Sequence, residues 1–216
     1  MFKMKQWTDR MKYQSFLFMK EHWARLLFVV ILLLFGIIFG ALAVEQLGEV
    51  QKEDLKIYLQ SFFGMIGEGR ISKPTEVFQV SLWNQLKTVG LIWLLGISIV
   101  GVPIAIFLVF LKGITLGFSI GLLVNEFGLH GLFLSMGTII PQNLIILPLW
   151  ISMVVWSLSF SIHLVKYFIA KKKDPIGGRL IKYSMKYVMI GFLFILPSLY
   201  EAFISPHIMH YMVQFL

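Results

Sequence analysis

The sequence predicts an all-α, polytopic integral membrane protein, with residues 1–216 forming a single transmembrane domain. Three observations predict it. Of the 216 residues, 58% are hydrophobic and 14% are charged, whereas a soluble domain carries about 45–50% apolar and about 25% charged residues. The mean hydropathy is +0.82, so lipid must be the solvent for much of the chain. Apolar runs also recur at about twenty residues, the length a helix needs to cross a hydrocarbon layer. This composition excludes a soluble enzyme, a disordered tail and a disulfide-stapled secreted domain. The chain has no cysteine, which removes thiol catalysis, thiolate metal sites and structural disulfides.

The first predicted span is Leu26 to Val44, an uncharged run behind a basic head over residues 1–25 that holds Lys3, Lys5, Arg10, Lys12, Lys20 and Arg25. Ala41-Leu42-Ala43 has the look of a signal cleavage site, but the head is too long and the run exceeds the 7–15 apolar residues, roughly, of a signal core. A retained helix is the better reading. The head also carries Trp7, Met11, Phe16, Phe18 and Trp23, which suits a helix lying on an anionic inner leaflet.

Residues 45–80 form the long polar stretch, with six acids and four bases. Leu55, Tyr58, Leu59, Phe62 and Phe63 fall at helical spacing within it, before Gly64, Gly67, Gly69 and Pro74 break the chain. A short amphipathic helix on the membrane or on a partner is expected there. The second span is predicted at Val89 to Leu111, kinked by Pro103 and stopped by Lys112. Gly113 to Ile140 is apolar but interrupted by glycines, Asn125, Glu126 and His130, and reads as a broken helix. Leu144 to Val165 is the fourth span. A basic loop over 166–186 and a last span from Tyr187 to Ile204 follow.

Thirteen of the nineteen Lys and Arg residues lie in the head and the 166–186 loop. Positive charge favours the cytoplasmic side, so both are expected inside and the acidic 45–80 loop outside. Parity then requires Gly113–Ile140 to cross once, outward. Five spans result, with the N-terminus inside and the C-terminus outside. The net charge of +8 becomes a topology signal, and no nucleic-acid partner is expected.

Five glycines and two polar groups are the candidate functional residues. Gly113, Gly117 and Gly121 recur on one helix face, and Gly36 and Gly40 repeat the pattern in the first span. Such faces let another helix approach to backbone contact, either inside the chain or across a homodimer seam. Asn125 and Glu126 fall about 18 Å beyond Lys112 at helical rise, where an ionisable side chain marks a candidate functional site. His130 shares the Glu126 face if the helix continues, which allows an ion pair, a proton relay or half of a metal site; zinc needs three or four ligands. Ile140-Pro141-Gln142-Asn143 reads as a turn at the outer face, with Pro141, Gln142 and Asn143 as a docking point for an extracytoplasmic partner. Glu201, His207 and His210 read as an interfacial tail.

No phosphate-binding loop, serine elbow or H-E-x-x-H motif occurs, so catalytic, metal and cofactor residues are all expected to be absent. No segment outside the bilayer is long enough to bury its own core. Chemistry in water is therefore expected to fall to partners.

The order of these parts resembles the stage II sporulation protein M family of endospore-forming bacteria. The most specific parts are Lys112-Gly113-Ile114-Thr115-Leu116-Gly117-Phe118-Ser119-Ile120-Gly121 and Ile140-Pro141-Gln142-Asn143-Leu144-Ile145-Ile146-Leu147-Pro148, within a likeness covering nearly the whole chain. The resemblance implies a multi-pass protein of the mother-cell membrane at the sporulation septum, needed for engulfment. It implies a non-catalytic scaffold that recruits two peptidoglycan hydrolases: stage II sporulation protein P, an amidase, and through it protein D, a lytic transglycosylase. Broader relatives carry Pro-His-Gly with a following Glu where this chain has Pro141-Gln142-Asn143, a departure that fits a scaffold better than a transporter. The alternative that the broader family implies is a permease subunit working with an ATPase, with Glu126 as its first residue.

Overall fold

The structure, a computed structural model, describes the backbone of residues 2–67, 73–98, 100–170 and 176–213, and the side chains of 23–67, 73–98, 100–169 and 177–211. Every regular element among the described residues is helical. Helix α1 spans Phe2–Glu45, α2 Glu49–Gly67, α3 Pro74–Ile97 and α4 Gly101–Ala170. Among the described residues, three helices are long and apolar enough to cross a membrane: Trp23–Glu45, Gly101–Ile169 and Gly177–Tyr211. The side chains of residues 1–22, including Trp7, Met11, Phe16 and Phe18, lie outside the described residues.

Helix α1 divides its apolar run between two solvents. Val29, Leu33 and Val44 are buried, while Phe28, Leu34, Phe35, Ile38, Phe39 and Leu42 are exposed. That many large exposed apolar side chains on one helix suit lipid and not water.

Helix α2 begins with half of a capping box. Gln51, at the third helical position, accepts the Gly48 backbone N–H at 3.1 Å, and Glu49 places negative charge at the positive end of the helix dipole. The expected amphipathic pattern holds for Leu59 and Phe63, which are buried together with Ile66, whereas Tyr58 is exposed.

Helix α3 starts on Pro74, where a missing N–H breaks no bond, and ends at Ser98 in extended backbone. This corrects the predicted span from Val89 to Leu111: α3 stops before Ser98 and a new helix begins at Gly101, whose N–H donates to the Ser98 carbonyl at 3.1 Å. Pro103 therefore lies in the first turn of α4, where no N–H partner is lost, and kinks nothing.

Helix α4 is not one rod. Gly128 adopts φ 58° and ψ −130°, a conformation that essentially only glycine enters cheaply, and the chain reverses there. Lys112 and Trp150 would stand roughly 57 Å apart on a straight helix. Instead the Lys112 Nζ lies 5.7 Å from the Trp150 ring centroid. The two arms, 101–127 and 129–170, thus form an antiparallel hairpin. The expectation of a broken glycine-rich helix holds, with the break at Gly128.

The second arm carries two corrections. Ile140-Pro141-Gln142-Asn143 is not a turn, because the helix runs through Pro141 and Pro148. The expected 166–186 loop is mostly helix, since α4 continues to Ala170 and α5 (Ile176–Leu193) resumes almost at once. The last span is also longer than Tyr187–Ile204. Helices α5, α6 (Ile195–Leu199), a π turn (Tyr200–Ile204) and α7 (Ser205–Val213) follow head to tail. Phe194 keeps helical dihedrals at the α5–α6 junction, so hydrogen bonding continues through it.

The first arm of α4 runs parallel to α1, with Gly36 beside Gly113, Ile37 beside Gly117 and Ala41 beside Gly121. The second arm runs against α1, bringing Arg25 to Ser159. Helix α3 runs against the α5–α7 rod, with Ser81 meeting Ser198 and Trp93 meeting Ser184. Two poles result. One carries α2, the Gly128 reversal and α7; the other carries Arg25, the α3–α4 joint and the start of α5. The main core between them is built from Ile92, Val109, Ile146, Met153, Val154 and Phe194, among others.

Candidate functional site

Helix α2 is bolted to the hairpin tip by a small core of its own: Leu59, Phe63 and Ile66 pack with Leu123 and Leu134, flanked by Phe127 and Met209. Phe63 meets the Phe127 ring edge-on at 5.5 Å. Lys56 pairs with Glu126 at 3.3 Å. The His210 Nδ1 donates to the Ile66 carbonyl at 3.1 Å, one of the free carbonyls at the end of α2. The opposite face of α2 is left uncovered, with Val50 76%, Tyr58 68% and Ile57 55% exposed.

This geometry places the predicted intramembrane polar group. Glu126 and His130 do not share a face, because Gly128 reverses the chain between them. Glu126 turns to α2 instead, while Asn125 and His130 are exposed. Among the described residues, no group of three or more metal-ligating side chains forms. His210, which reads in the sequence as part of a tail, holds the end of α2.

A polar knot ties the second arm, the π turn and α3. Pro141 has no N–H, so the carbonyl four residues earlier, Gly137, loses its helical partner. The Tyr200 hydroxyl donates to that carbonyl at 2.6 Å. The next residue, Glu201, accepts a hydrogen bond from Ser81 at 2.7 Å, and the Ser198 hydroxyl lies 3.3 Å from Ser81. The π turn sets Tyr200 and Glu201 at these angles, an irregularity that recurs at functional sites. Asn143 is buried; its Nδ2 donates to Ile139 O at 2.8 Å. The Asn143 Oδ1 and Gln142 Oε1 are buried with no partner in the protein. The predicted turn is therefore helix, with Asn143 buried and Pro141 and Gln142 half-buried against the fastening.

Lys112 does not end a span. It lies inside the first arm, with its ammonium over the indole of buried Trp150. A cation on an aromatic face is attractive, the more so when desolvated. Glu201 lies on the π turn of the same bundle. A lysine and a glutamate inside one helical bundle are the ionisable groups that sequence reasoning missed. A charge beside an apolar run ordinarily marks the run's end, and only the position of Trp150 shows otherwise.

The five glycines make an internal seam. A Cβ at Gly113 would come within 2.5 Å of Leu33 O and 3.0 Å of the Gly36 Cα. A Cβ at Gly36 would come within 2.5 Å of Phe110 O. Gly40 faces Ile114, and Gly117 faces Ile37, equally closely. At Gly121 the approach relaxes to 3.1 Å from the Ala41 Cα. Both glycine faces are spent on each other, which is the intrachain alternative.

The family model described as Stage II sporulation protein M matches residues 29–206. The chain belongs to that family. Membership identifies a sporulation-related membrane protein. Within this Stage II sporulation protein M family member, the matched stretch holds the glycine seam, the Gly128 reversal and the Pro141–Tyr200 knot. His207 and His210 lie beyond it. No curated protein and no solved structure matches the chain.

Proposed function

We propose that this protein is a non-catalytic membrane scaffold that receives peptidoglycan hydrolases at the sporulation septum: the amidase stage II sporulation protein P and, through it, the transglycosylase protein D. One observation carries the reading. Helix α2 is fastened to the bundle by one face and leaves Val50, Ile57 and Tyr58 uncovered on the other. An aromatic and aliphatic face held rigidly at the end of a bundle is how a docking platform is built. Replacing Tyr58 and Ile57 with alanine is expected to reduce recovery of the amidase with the tagged protein at least tenfold, at unchanged abundance. Unchanged recovery removes α2 from the interface.

In this reading the chain crosses the membrane five times: α1, α3, each arm of α4 and the α5–α7 rod. Helix α3, with 24 residues, is about 36 Å long, enough for one crossing. The pole bearing Arg25 and the start of α5 is then cytoplasmic, and α2 is extracytoplasmic in the mother-cell membrane. The chain has no cysteine, so single introduced cysteines test this directly. Cysteine at Tyr58 should label from outside and cysteine at Ile181 only after permeabilisation; the reverse pattern overturns the orientation.

Lys112 and Glu201 favour a second reading, a permease subunit. Glu126 no longer supports it, being held by Lys56 at the hairpin tip. If the protein transports, Glu201→Gln abolishes a transport-linked phenotype without changing abundance. Retention of sporulation and of hydrolase recovery by that variant removes this reading.

A further inference from the structure

At the pole opposite α2, a cavity of about 150 Å³ opens between the second arm of α4 and α5, lined by Ser159, Phe160, Arg179, Lys182, Tyr183 and Lys186, with Trp156. Its walls differ in kind. Phe160 stacks on Tyr183 at 4.4 Å, nearly parallel, and gives an aromatic floor belonging to the membrane bundle. The rim is cationic: Lys182 and Arg179 stand exposed on α5, and the Lys186 ammonium lies 5.0 Å from the Trp156 ring centroid. Beside it, Arg25 of α1 donates to the Ser159 hydroxyl at 2.5 Å, and that hydroxyl donates in turn to the Val155 carbonyl at 2.6 Å. Arg179 also meets the His163 ring of the second arm. No carboxylate side chain among the described residues borders this cavity. Three bases of α5 thus line one small space, with a base of α1 fastened to its wall, directly above apolar surface.

We infer that this cavity binds the phosphate headgroup of an anionic phospholipid, with the acyl chains lying along the exposed apolar faces below it. Arginine and lysine side chains match a phosphate diester, and a basic pocket between membrane helices is the geometry that holds acidic lipid headgroups. A soluble phosphate compound would satisfy the rim but leave the aromatic floor and the lipid-facing helices unused, so the lipid is the favoured source. The site ties α1, the second arm and α5 together through a ligand, at a pole where the protein itself supplies mostly like charge.

The test uses the full-length protein in nonionic detergent, titrated with tail-labelled phosphatidylglycerol. Binding should be saturable. It should be displaced by unlabelled phosphatidylglycerol, but not by phosphatidylcholine or by free glycerol phosphate at a hundredfold excess. Lys182→Gln should weaken it about fivefold and Arg25→Gln with Lys182→Gln about 25-fold, taking the surface value for one base. Lys182→Arg should restore wild-type binding, which separates charge from folding. Equal displacement by phosphatidylcholine overturns the proposal as non-specific lipid adhesion. Displacement by glycerol phosphate overturns the lipid assignment in favour of a soluble phosphate. Unchanged binding in a monodisperse double variant overturns the site.

Discussion

Single residues carry most of what is specific in this bundle. Tyr200 is the clearest case, because its hydroxyl replaces a hydrogen bond that Pro141 removed in a region where water cannot do so. Tyr200→Phe should leave the Gly137 carbonyl unsatisfied and lower stability by about 1–3 kcal/mol. Thermal unfolding in detergent checks this, and a second change, Pro141→Ala, should recover most of the loss by restoring the helical N–H. Gly128 has open space where a Cβ would stand, so Gly128→Ala tests conformation without a clash. The backbone it must hold predicts a loss of about 1–3 kcal/mol. Gly117→Leu tests the opposite condition, an acceptable conformation with no room. It should separate α1 from α4 and abolish accumulation in the membrane, whereas Gly64→Leu on α2, with nothing near its Cβ, should accumulate normally. The glycine seam was legible because its period is the helix period. The role of Pro141 was not: proline ends helices in water, and the hydroxyl that rescues this one lies 63 residues away.

At the scale of elements, α2 is the one that decides the functional reading, and its docking is separable from the rest. Phe63→Ala should cost about 3 kcal/mol of packing and release α2 from the hairpin tip. Amide exchange should then rise sharply across 49–67 while the two arms of α4 stay protected. The Lys56–Glu126 pair is partly exposed, at 43% and 21%, and should contribute less than about 1 kcal/mol. Glu126→Gln is therefore expected to leave α2 in place. The amphipathic helix was visible in the sequence because five apolar side chains fell at helical spacing, although the burying face turned out to be Leu59, Phe63 and Ile66. The boundary between α3 and α4 was not visible. Residues 89–111 are uncharged and apolar but for Ser98, and one helix gives way to the next inside that run. Hydropathy sees solvent, not direction, so a restart at Gly101 leaves no mark in it.

For the whole molecule, charge and hydropathy carried the fold class, and family membership carried the biological setting. Composition alone required lipid, and the polarity of the loops proposed which pole faces which compartment. The half-buried charges within the bundle were the weak point of that reasoning. Lys112 sat at the edge of an apolar run and so read as its boundary, while Glu201 sat near the chain's end and so read as part of a tail. Only folding brings Lys112 to Trp150 and Glu201 to Ser81. What emerges is a bundle locked internally by glycines and a proline-tyrosine fastening, with one face of α2 left uncovered at its end. The most direct test of that account places a photoactivatable amino acid at Tyr58 of the full-length protein and irradiates sporulating cells. The account predicts a covalent adduct with the peptidoglycan amidase, absent when the same group replaces Phe35 on the lipid-facing side of α1. An adduct with an ATPase or with lipid alone, and none with the amidase, would contradict it.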